Sequence, residues 1–377
     1  MAQTIIGAKS RRTDRKLADK TPRAPKAAPA SAQPTDTVTP SAQLVTVDEG
    51  SDGQRLDNYL VKLLKGAPKT LVYRIIRSGE VRVNKGRASA DTRLNLGDVV
   101  RVPPLRLSDK ARLPSTEAAH AAEAARVPPR EFPVIFEDDW LIAIDKPAGV
   151  AVHGGSGVSF GVIEQLRQAR PQAKFLELVH RLDKETSGIL LIAKKRSALT
   201  SLQDAFRHRQ AHKTYAALVI GTWPARQKVI DVPLHKFLTG DGERRVRAVT
   251  RADDEQEGQR AITLVQVVQA FLGYSLLDVT IKTGRTHQIR VHLQHGGHAI
   301  VGDEKYGDFE LNRRLARQGG EHGEGRFERM FLHARYLRLP HPQDGHELVF
   351  EAPLPPECRS FLATLPPAAP AVSSAGR

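Results

Sequence analysis

A run of charged and hydroxyl side chains at residues 180–188 has the composition of a reactive loop. It is followed by an unbroken apolar segment, residues 189–193, whose length and β-branched residues predict a buried strand. Asp183 would then lie in a tight turn at the mouth of that strand, close to Arg181 and Lys184. A carboxylate held on a rigid strand end can act as a nucleophile or as a base. An isolated Asp there would instead indicate a turn residue that pairs with a neighbouring cation.

Two further polar runs lie later in the chain. Residues 283–292 follow a predicted strand, open a predicted helix and read Thr-Gly-Arg-Thr-His-Gln-Ile-Arg-Val-His. Residues 302–307 read Gly-Asp-Glu-Lys-Tyr-Gly. Between these runs and the first, residues 213–221 form a predicted strand that carries Tyr215 near its start. The segments must be neighbours in the fold if their side chains are to act on one substrate.

The three runs resemble, in order, the signatures of the pseudouridine synthases that modify uridines in ribosomal and transfer RNA. The first reads His180-Arg181-Leu182-Asp183-Lys184-Glu185-Thr186-Ser187-Gly188, and a match of this length is far more specific than a three-residue pattern. The resemblance spans roughly residues 133–356, and it is closest to the C type of the bacterial large-subunit ribosomal RNA synthases. It implies isomerisation of specific uridines in large-subunit (23S) ribosomal RNA, with a catalytic Asp and a flipped base.

The resemblance also implies roles for individual residues. Asp183 would be the catalytic carboxylate, which either attacks C1′ of the ribose or takes a proton from C2′. Arg285 would pair with that carboxylate through two hydrogen bonds, and Tyr215 would stack on the uracil and could help to move the C5 proton. Contacts with RNA are expected from Arg181, which would fill the gap left by the flipped nucleotide, from Ile289, an apolar wall, and from His180 and Arg290.

Composition supports a polyanionic partner. The chain has 377 residues with 57 Lys and Arg against 42 Asp and Glu, which gives a net charge of +15 and a pI near 10.0. Nucleic acid is the first candidate partner, because no apolar run approaches the length of a membrane span and the N-terminus lacks the apolar region of a signal peptide. The single cysteine, Cys358, suits a reducing cytoplasm. We therefore expect a cytoplasmic monomer that binds ribosomal RNA or its assembly intermediates and no membrane.

A small RNA-binding domain is predicted before the reactive runs. Residues 54–102 have the pattern of two short helices followed by a small sheet. The pattern resembles the RNA-binding module of ribosomal protein S4. Its expected RNA contacts are Arg55, Arg74, Arg77, Arg82 and Lys85.

The predicted fold class is α+β, because short strands outnumber long helices. The S4-like domain, residues 43–105, would precede a catalytic domain with a mixed, mainly antiparallel sheet, residues 132–358. Residues 1–42 are predicted to be a disordered basic tail, 106–131 a linker and 359–377 a C-terminal tail.

No cofactor and no metal are expected, because isomerisation moves no electrons or groups in or out. A metal site at His287, His292, His295 and His298 is disfavoured, since only His292 and His295 can easily share a helix face. A serine hydrolase built on Ser187 is disfavoured, because no nucleophile elbow is present. The remaining alternatives are a non-catalytic RNA-binding or ribosome-assembly factor, an RNA glycosidase, and a synthase that acts on another RNA.

Overall fold

The computed structural model describes residues 42–64, 67–104, 127–154, 160–240, 243–249 and 258–368. The predicted basic tail, except residue 42, and most of the predicted linker lie outside the described residues. Among the described residues, no helix combines the length and apolar character needed to cross a membrane.

The small domain is a helix pair packed on a four-stranded antiparallel sheet with the order β1-β4-β2-β3. Its elements are β1 (Gln43–Thr46), α1 (Leu56–Leu63), α2 (Lys69–Arg77), β2 (Arg82–Val83), β3 (Gly86–Arg87) and β4 (Val99–Val102). Leu56 and Leu60 lie four residues apart on one face of α1, so both pack against Val72 and Ile75 of α2. Val100 of β4 belongs to the same buried cluster. The apolar periodicity therefore produces one small core.

The second domain begins with strands β5 (Val134–Glu137) and β6 (Leu141–Lys146). Its remaining helices are α3 (Val162–Ala169), α4 (Arg196–Arg207), α5 (Gln288–His295), α6 (Phe309–Arg317) and α7 (Pro356–Thr364). Its remaining strands are β7 (Glu177–Leu178), β8 (Ser187–Ala193), β9 (His212–Ile220), β10 (Val229–Asp231), β11 (Leu234–Leu238), β12 (Arg244–Ala248), β13 (Ile262–Phe271), β14 (Tyr274–Ile281), β15 (Leu332–Pro340) and β16 (Glu347–Glu351).

One large sheet organises this domain. Its strand order is β10-β13-β14-β9-β15-β8-β6-β5, with β16 beside β15 and β7 beside β8. In the part of the chain that the structure describes, the ladder between β8 and β15 is parallel and the other ladders of this sheet are antiparallel. The predicted α+β class with a mixed, mainly antiparallel sheet is confirmed.

Strand β8 lies at the centre of the domain, and each of its residues is buried. Ile192 and Leu190 face one apolar cluster, whereas Ile189 and Leu191 face the other. A strand that is covered on both faces must be apolar throughout, which explains the unbroken run.

Gly188 is the residue that allows β8 to approach β15. It has φ +107°, and a Cβ atom at this position would lie 2.7 Å from the backbone nitrogen of Ala334 and still closer to its oxygen. Any side chain would separate the two strands. Because Asp183 lies just before β8, this contact also fixes the position of the reactive loop.

The C-terminal end of the domain differs from the prediction. Residue 358 was expected to end the domain, but α7 continues to Thr364 and buries Cys358 and Phe361 in the main core. Leu365 is also buried, and Pro367 forms a bridge with Phe271 of β13. The prediction of a tail is therefore wrong for residues 359–368. Pro356 does not prevent a helix here, because it occupies the first turn, where proline is well tolerated.

Candidate active site

A cleft of about 690 Å³ lies at the start of β8. Its walls come from the loop before β8, from α4, β9 and β14, and from the loop that leads into α5. This volume falls within the usual range for small-molecule sites. The first two of the three runs meet here through Asp183 and residues 283–290, together with Tyr215 of the intervening strand.

The loop that carries Asp183 is held from below by a buried lysine. Lys146, at the end of β6, is fully buried and donates from Nζ to the carbonyls of Pro147, Val150 and Lys184 at 2.8–3.0 Å. Burial lowers the pKa of Lys146 to about 7. The lysine ties the turn after β6 to the residue next to Asp183, a role that the sequence interpretation missed. The sequence did contain an indication of this role, because Lys146 ends an apolar strand and precedes a proline.

The ion-pair partner of Asp183 is Arg290. Its Nη1 donates to Asp183 Oδ2 at 3.2 Å, while its Nε and Nη2 donate to the two oxygens of Asp303 at 2.7 and 2.8 Å. Burial alone would raise the pKa of Asp303, but the hydrogen bonds and charge of Arg290 outweigh it and lower that pKa. The backbone N–H groups of Lys305 and Tyr306 also donate to Asp303. Arg290 is therefore clamped by one carboxylate and presents its remaining edge to the other.

The expected pairing of Arg285 with Asp183 is wrong. Arg285 is exposed, lines the outer cleft and donates from Nε to the carbonyl of Arg260 at 3.2 Å. Arg290 was expected to contact RNA, but it lies in the first turn of α5 with only 7% of its surface exposed. Arg290 rather than Arg285 reaches Asp183, because Arg285 precedes the helix, whereas Arg290 lies on its inward face.

His287 forms the turn that leads into α5 and lies beside the ion pair. Its backbone is left-handed, with φ 52°, and its Nε2 lies 3.9 Å from Asp183 Oδ2. Nδ1 is 2.8 Å from the hydroxyl of Tyr306, which itself accepts from the N–H of Val246. The tyrosine proton is therefore available to Nδ1, and the Nε2–H tautomer faces Asp183. Burial lowers the pKa of His287 to about 4 despite the charge of Asp183, so the ring is neutral near pH 7.

The apolar walls of the cleft include two of the predicted residues. Tyr215 of β9 and Ile289 of α5 are both about 95% buried and line the cleft with Leu182 and Leu332. Burial, and then the charge of Asp183, raise the pKa of the Tyr215 phenol. The phenol therefore stays protonated and offers an uncharged aromatic surface beside the carboxylate.

His180 and Arg181 lie in the same wall but differ in character. The Nε2 of His180 accepts from the N–H of Leu191 at 3.2 Å, and its ring lies 5.1 Å from that of Phe206. Burial, with a smaller contribution from the charge of Lys213, lowers the pKa of His180 to about 3. His180 is therefore uncharged near neutral pH, and its expected contact with RNA stays a prediction. Arg181 is exposed at the cleft mouth.

Two of the four histidines considered for a metal site, His292 and His298, contact other groups in the structure. His292 contacts Thr263 Oγ1 with Nδ1 and the carbonyl of Val232 with Nε2, so both ring nitrogens are engaged. His298 contacts the carbonyl of Ile220. A different group, His341, Asp344 and His346, places three potential ligand atoms within 4.8 Å in the turn between β15 and β16. These atoms already hydrogen bond to one another and to the backbone of Gln343 and His346.

The small domain carries the predicted basic surface. Arg74, Arg77, Arg82 and Lys85 are exposed, whereas Arg55 is paired with Asp57 at 2.8 Å.

Two further arginines extend this surface across the sheet of the small domain. Arg82 is the cross-strand partner of Arg87 on one side and of Arg101 on the other. Cross-strand partners share a face, so the three form a basic row over β3, β2 and β4. Arg101 was missed in the sequence, where it lies in an alternating strand pattern.

Comparison with known proteins follows the same division of the chain. The sequence model of the RNA pseudouridylate synthase family matches residues 140–295, and that of the S4 domain matches residues 54–100. The chain is 46% identical over 325 residues to "Ribosomal large subunit pseudouridine synthase C" of Pasteurella multocida, a match that covers 86% of this chain and 94% of the relative. The protein of the same name from Escherichia coli (strain K12) is 46% identical over 318 residues, covering 84% and 95%.

Among solved structures, "Human RNA Pseudouridylate Synthase Domain Containing 4" is 29% identical, with a TM-score of 0.49, over 65% of this chain and 95% of that chain. The bacterial relatives match nearly their whole length at 46% identity, and the matched region contains the Asp183 loop, Tyr215 and Arg290. The chain belongs to the RNA pseudouridylate synthase family.

Proposed function

We propose that this chain isomerises specific uridines of large-subunit ribosomal RNA to pseudouridine, with Asp183 as the catalytic carboxylate. The observation that carries the proposal is the contact of Arg290 with Asp183 at the base of a cleft walled by Tyr215 and Ile289. The relatives named as large-subunit synthases support the choice of RNA. The protein would act as a monomer in the cytoplasm, where it would bind ribosomal RNA or an assembly intermediate of the large subunit.

The reaction breaks the bond between N1 of uracil and C1′, turns the base and joins C5 to C1′. Asp183 starts it either by attacking C1′ or by removing a proton from C2′, and both routes need the ionised carboxylate that Arg290 orients. No electron or group enters or leaves, so the chemistry requires neither a metal nor an organic cofactor.

The target nucleotide must leave its helix to reach Asp183, at a cost of a few kcal/mol. In the cleft the uracil would stack on Tyr215 and contact Ile289, which together would keep the detached base in place. Arg181 at the cleft mouth would occupy the gap in the RNA. Arg74, Arg77, Arg82 and Lys85 of the small domain would hold flanking phosphates.

The test is an Asp183→Asn variant, which keeps the shape and removes the charge. We expect RNA affinity to stay within about threefold of wild type and pseudouridine formation to fall by at least about 10³-fold. Pseudouridine would be mapped by primer extension after carbodiimide treatment, in ribosomal RNA from a deletion strain supplied with either form. Restoration of the modified sites by Asp183→Asn would refute the assigned chemistry. Unchanged pseudouridine in the deletion strain would refute the proposed substrate.

A further inference from the structure

Lys213 is a cation in the cleft to which no step of the proposed reaction assigns a role. It is the second residue of β9 and lies two positions before Tyr215, so both side chains project from the same face of the strand. Both line the cleft. The strand rise places their Cα atoms about 7 Å apart, a distance that one nucleotide can span.

The ammonium of Lys213 lacks an anionic partner. Its Nζ lies 4.6 Å from the ring centre of Phe206, and among the described residues no hydrogen bond or ion pair to it is found. Of the described residues that line the cleft, Asp183 is the only acid, and it is already paired with Arg290. The cation–π contact fixes the position of the charge without neutralising it.

Two other buried cations of this domain show the contrast. Lys146 donates to three carbonyls, and Arg290 contacts two carboxylates. Lys213 is half-buried and has only the face of Phe206, and burial lowers its pKa to about 8. A cation that is partly withdrawn from water and unpaired is costly in the empty protein, and an anion that enters the cleft would remove that cost.

The cleft continues past Lys213 along exposed cations. Arg209, which follows α4, and Lys282, which follows β14, are both exposed and line the same cleft. Together with Arg181 they form a positive rim around the opening. A polyanion that reaches Asp183 must pass this rim, and the charge of Lys213 lies inside it.

We propose that Lys213 binds a backbone phosphate of the RNA next to the target uridine and thereby places the flipped nucleotide against Tyr215. This positioning role rests on the proposed function, since it takes RNA as the substrate of the same cleft. The phosphate would accept a charge-assisted hydrogen bond from Nζ while the lysine stem stays on Phe206.

The first test compares Lys213→Met, which keeps the stem, with Lys213→Arg, which keeps the charge. Lys195→Met is the matched control, because Lys195 also lies over an aromatic ring, at 4.0 Å from Trp140, but outside the cleft. RNA binding is measured over a series of KCl concentrations with a large-subunit fragment that contains the mapped uridine. We expect Lys213→Met to bind roughly tenfold more weakly, with a slope of log affinity against log salt that is shallower by about 0.7. Lys213→Arg and Lys195→Met should keep the wild-type slope.

The second test locates the phosphate. Each phosphate beside the target uridine is replaced in turn by an uncharged methylphosphonate, and binding by wild type and Lys213→Met is compared. At one position the loss caused by Lys213→Met should disappear, because the contact is already absent. A rise in KM with little change in kcat for Lys213→Met on unmodified RNA would agree with this positioning role.

An unchanged salt slope in Lys213→Met, or additive losses at every methylphosphonate position, would overturn the role of Lys213. An equally shallow salt slope in Lys213→Arg would also overturn this role, because that variant retains the positive charge. Wild-type pseudouridine formation is measured on the same fragment. Its absence would refute the proposed function, while the binding comparison would still report on the phosphate site.

Discussion

Arg290 and Asp183 are 107 residues apart in the chain, yet Nη1 of the first lies 3.2 Å from Oδ2 of the second. Since Arg290 also spans both oxygens of Asp303, its planar fork is needed to reach two carboxylates at once. Arg290→Lys should lower turnover by about a hundredfold or more, because a single ammonium cannot hold both acids in register.

The matched variant is Arg285→Lys, which changes an exposed arginine of the same loop. We expect its turnover to stay within about threefold of wild type, because its Nε contacts only the carbonyl of Arg260. Single-turnover assays on unmodified ribosomal RNA would measure both variants. Equal losses in the two variants would contradict the assignment of Arg290 as the residue that orients Asp183.

The contact between β8 and β15 predicts a large effect of a single methyl group. Gly188→Ala would place a Cβ against the backbone of Ala334 at a φ that L residues avoid, so we expect a loss of at least about 3 kcal/mol in the free energy of unfolding. Gly273→Ala shares the positive φ, +77°, but its Cβ would meet nothing within 4 Å, so it should cost only about 1 kcal/mol. Urea unfolding measures both values. A similar loss of stability in the two variants would show that backbone strain, rather than close packing, is the reason for a glycine at position 188.

A buried histidine predicts how stability depends on pH. His333 lies between the hydroxyl of Ser187 and the carbonyl of Ala352, and burial lowers its pKa from 6.5 to about 4. The unfolded chain therefore binds more protons than the folded chain between these values, and stability is lost as pH falls from 6.5 to about 4. The loss from this group is on the order of 3 kcal/mol. His333→Gln should flatten this part of the profile, whereas His322→Gln, at an exposed position, should leave it unchanged. Parallel profiles for wild type and His333→Gln would contradict this attribution.

The small domain should contribute affinity rather than chemistry. Replacing both Arg82 and Lys85 with Gln should weaken binding to ribosomal RNA and make the slope of log affinity against log salt shallower by about 1.5 to 2. Single-turnover rates at saturating enzyme should change little, because these residues lie outside the cleft. Arg207→Gln is the control, because Arg207 is already paired with Asp204. A lower saturated rate with unchanged affinity would contradict this division of labour.

The sequence allowed the site to be located, but the partner of its carboxylate was misassigned. The family resemblance indicated Asp183, Tyr215 and Ile289, and the periodicity of their segments predicts a strand end, a strand and a helix. Arg285 and Arg290 stand in the same run, and the choice between them depends on the left-handed turn at His287. Histidine adopts the left-handed conformation more often than most residues, but its identity alone does not predict that conformation at a given position. Arg290 stands between Ile289 and Val291, and apolar neighbours of this kind indicate a buried helix face.

Long-range packing explains two further differences. Lys146 ends strand β6, but its three acceptors lie in two separate loops that only the tertiary fold brings together. Residues after 358 have the Pro and Ala content of a tail, yet Phe361 and Leu365 find a place in the core. Composition averages over a segment, whereas two large apolar side chains are enough to anchor it.

Strand β15 also bears on the order in which the protein is made. It lies between β8 and β9 in the sheet, and it pairs His333 with Ser187, which is 146 positions earlier in the chain. A chain still under synthesis cannot join these strands until residues 332–340 have left the ribosome, because these residues form β15. Until then the loop of Asp183 lacks the strand that anchors it. We therefore expect the nascent chain to lack an organised active site until β15 has emerged from the ribosome, late in translation.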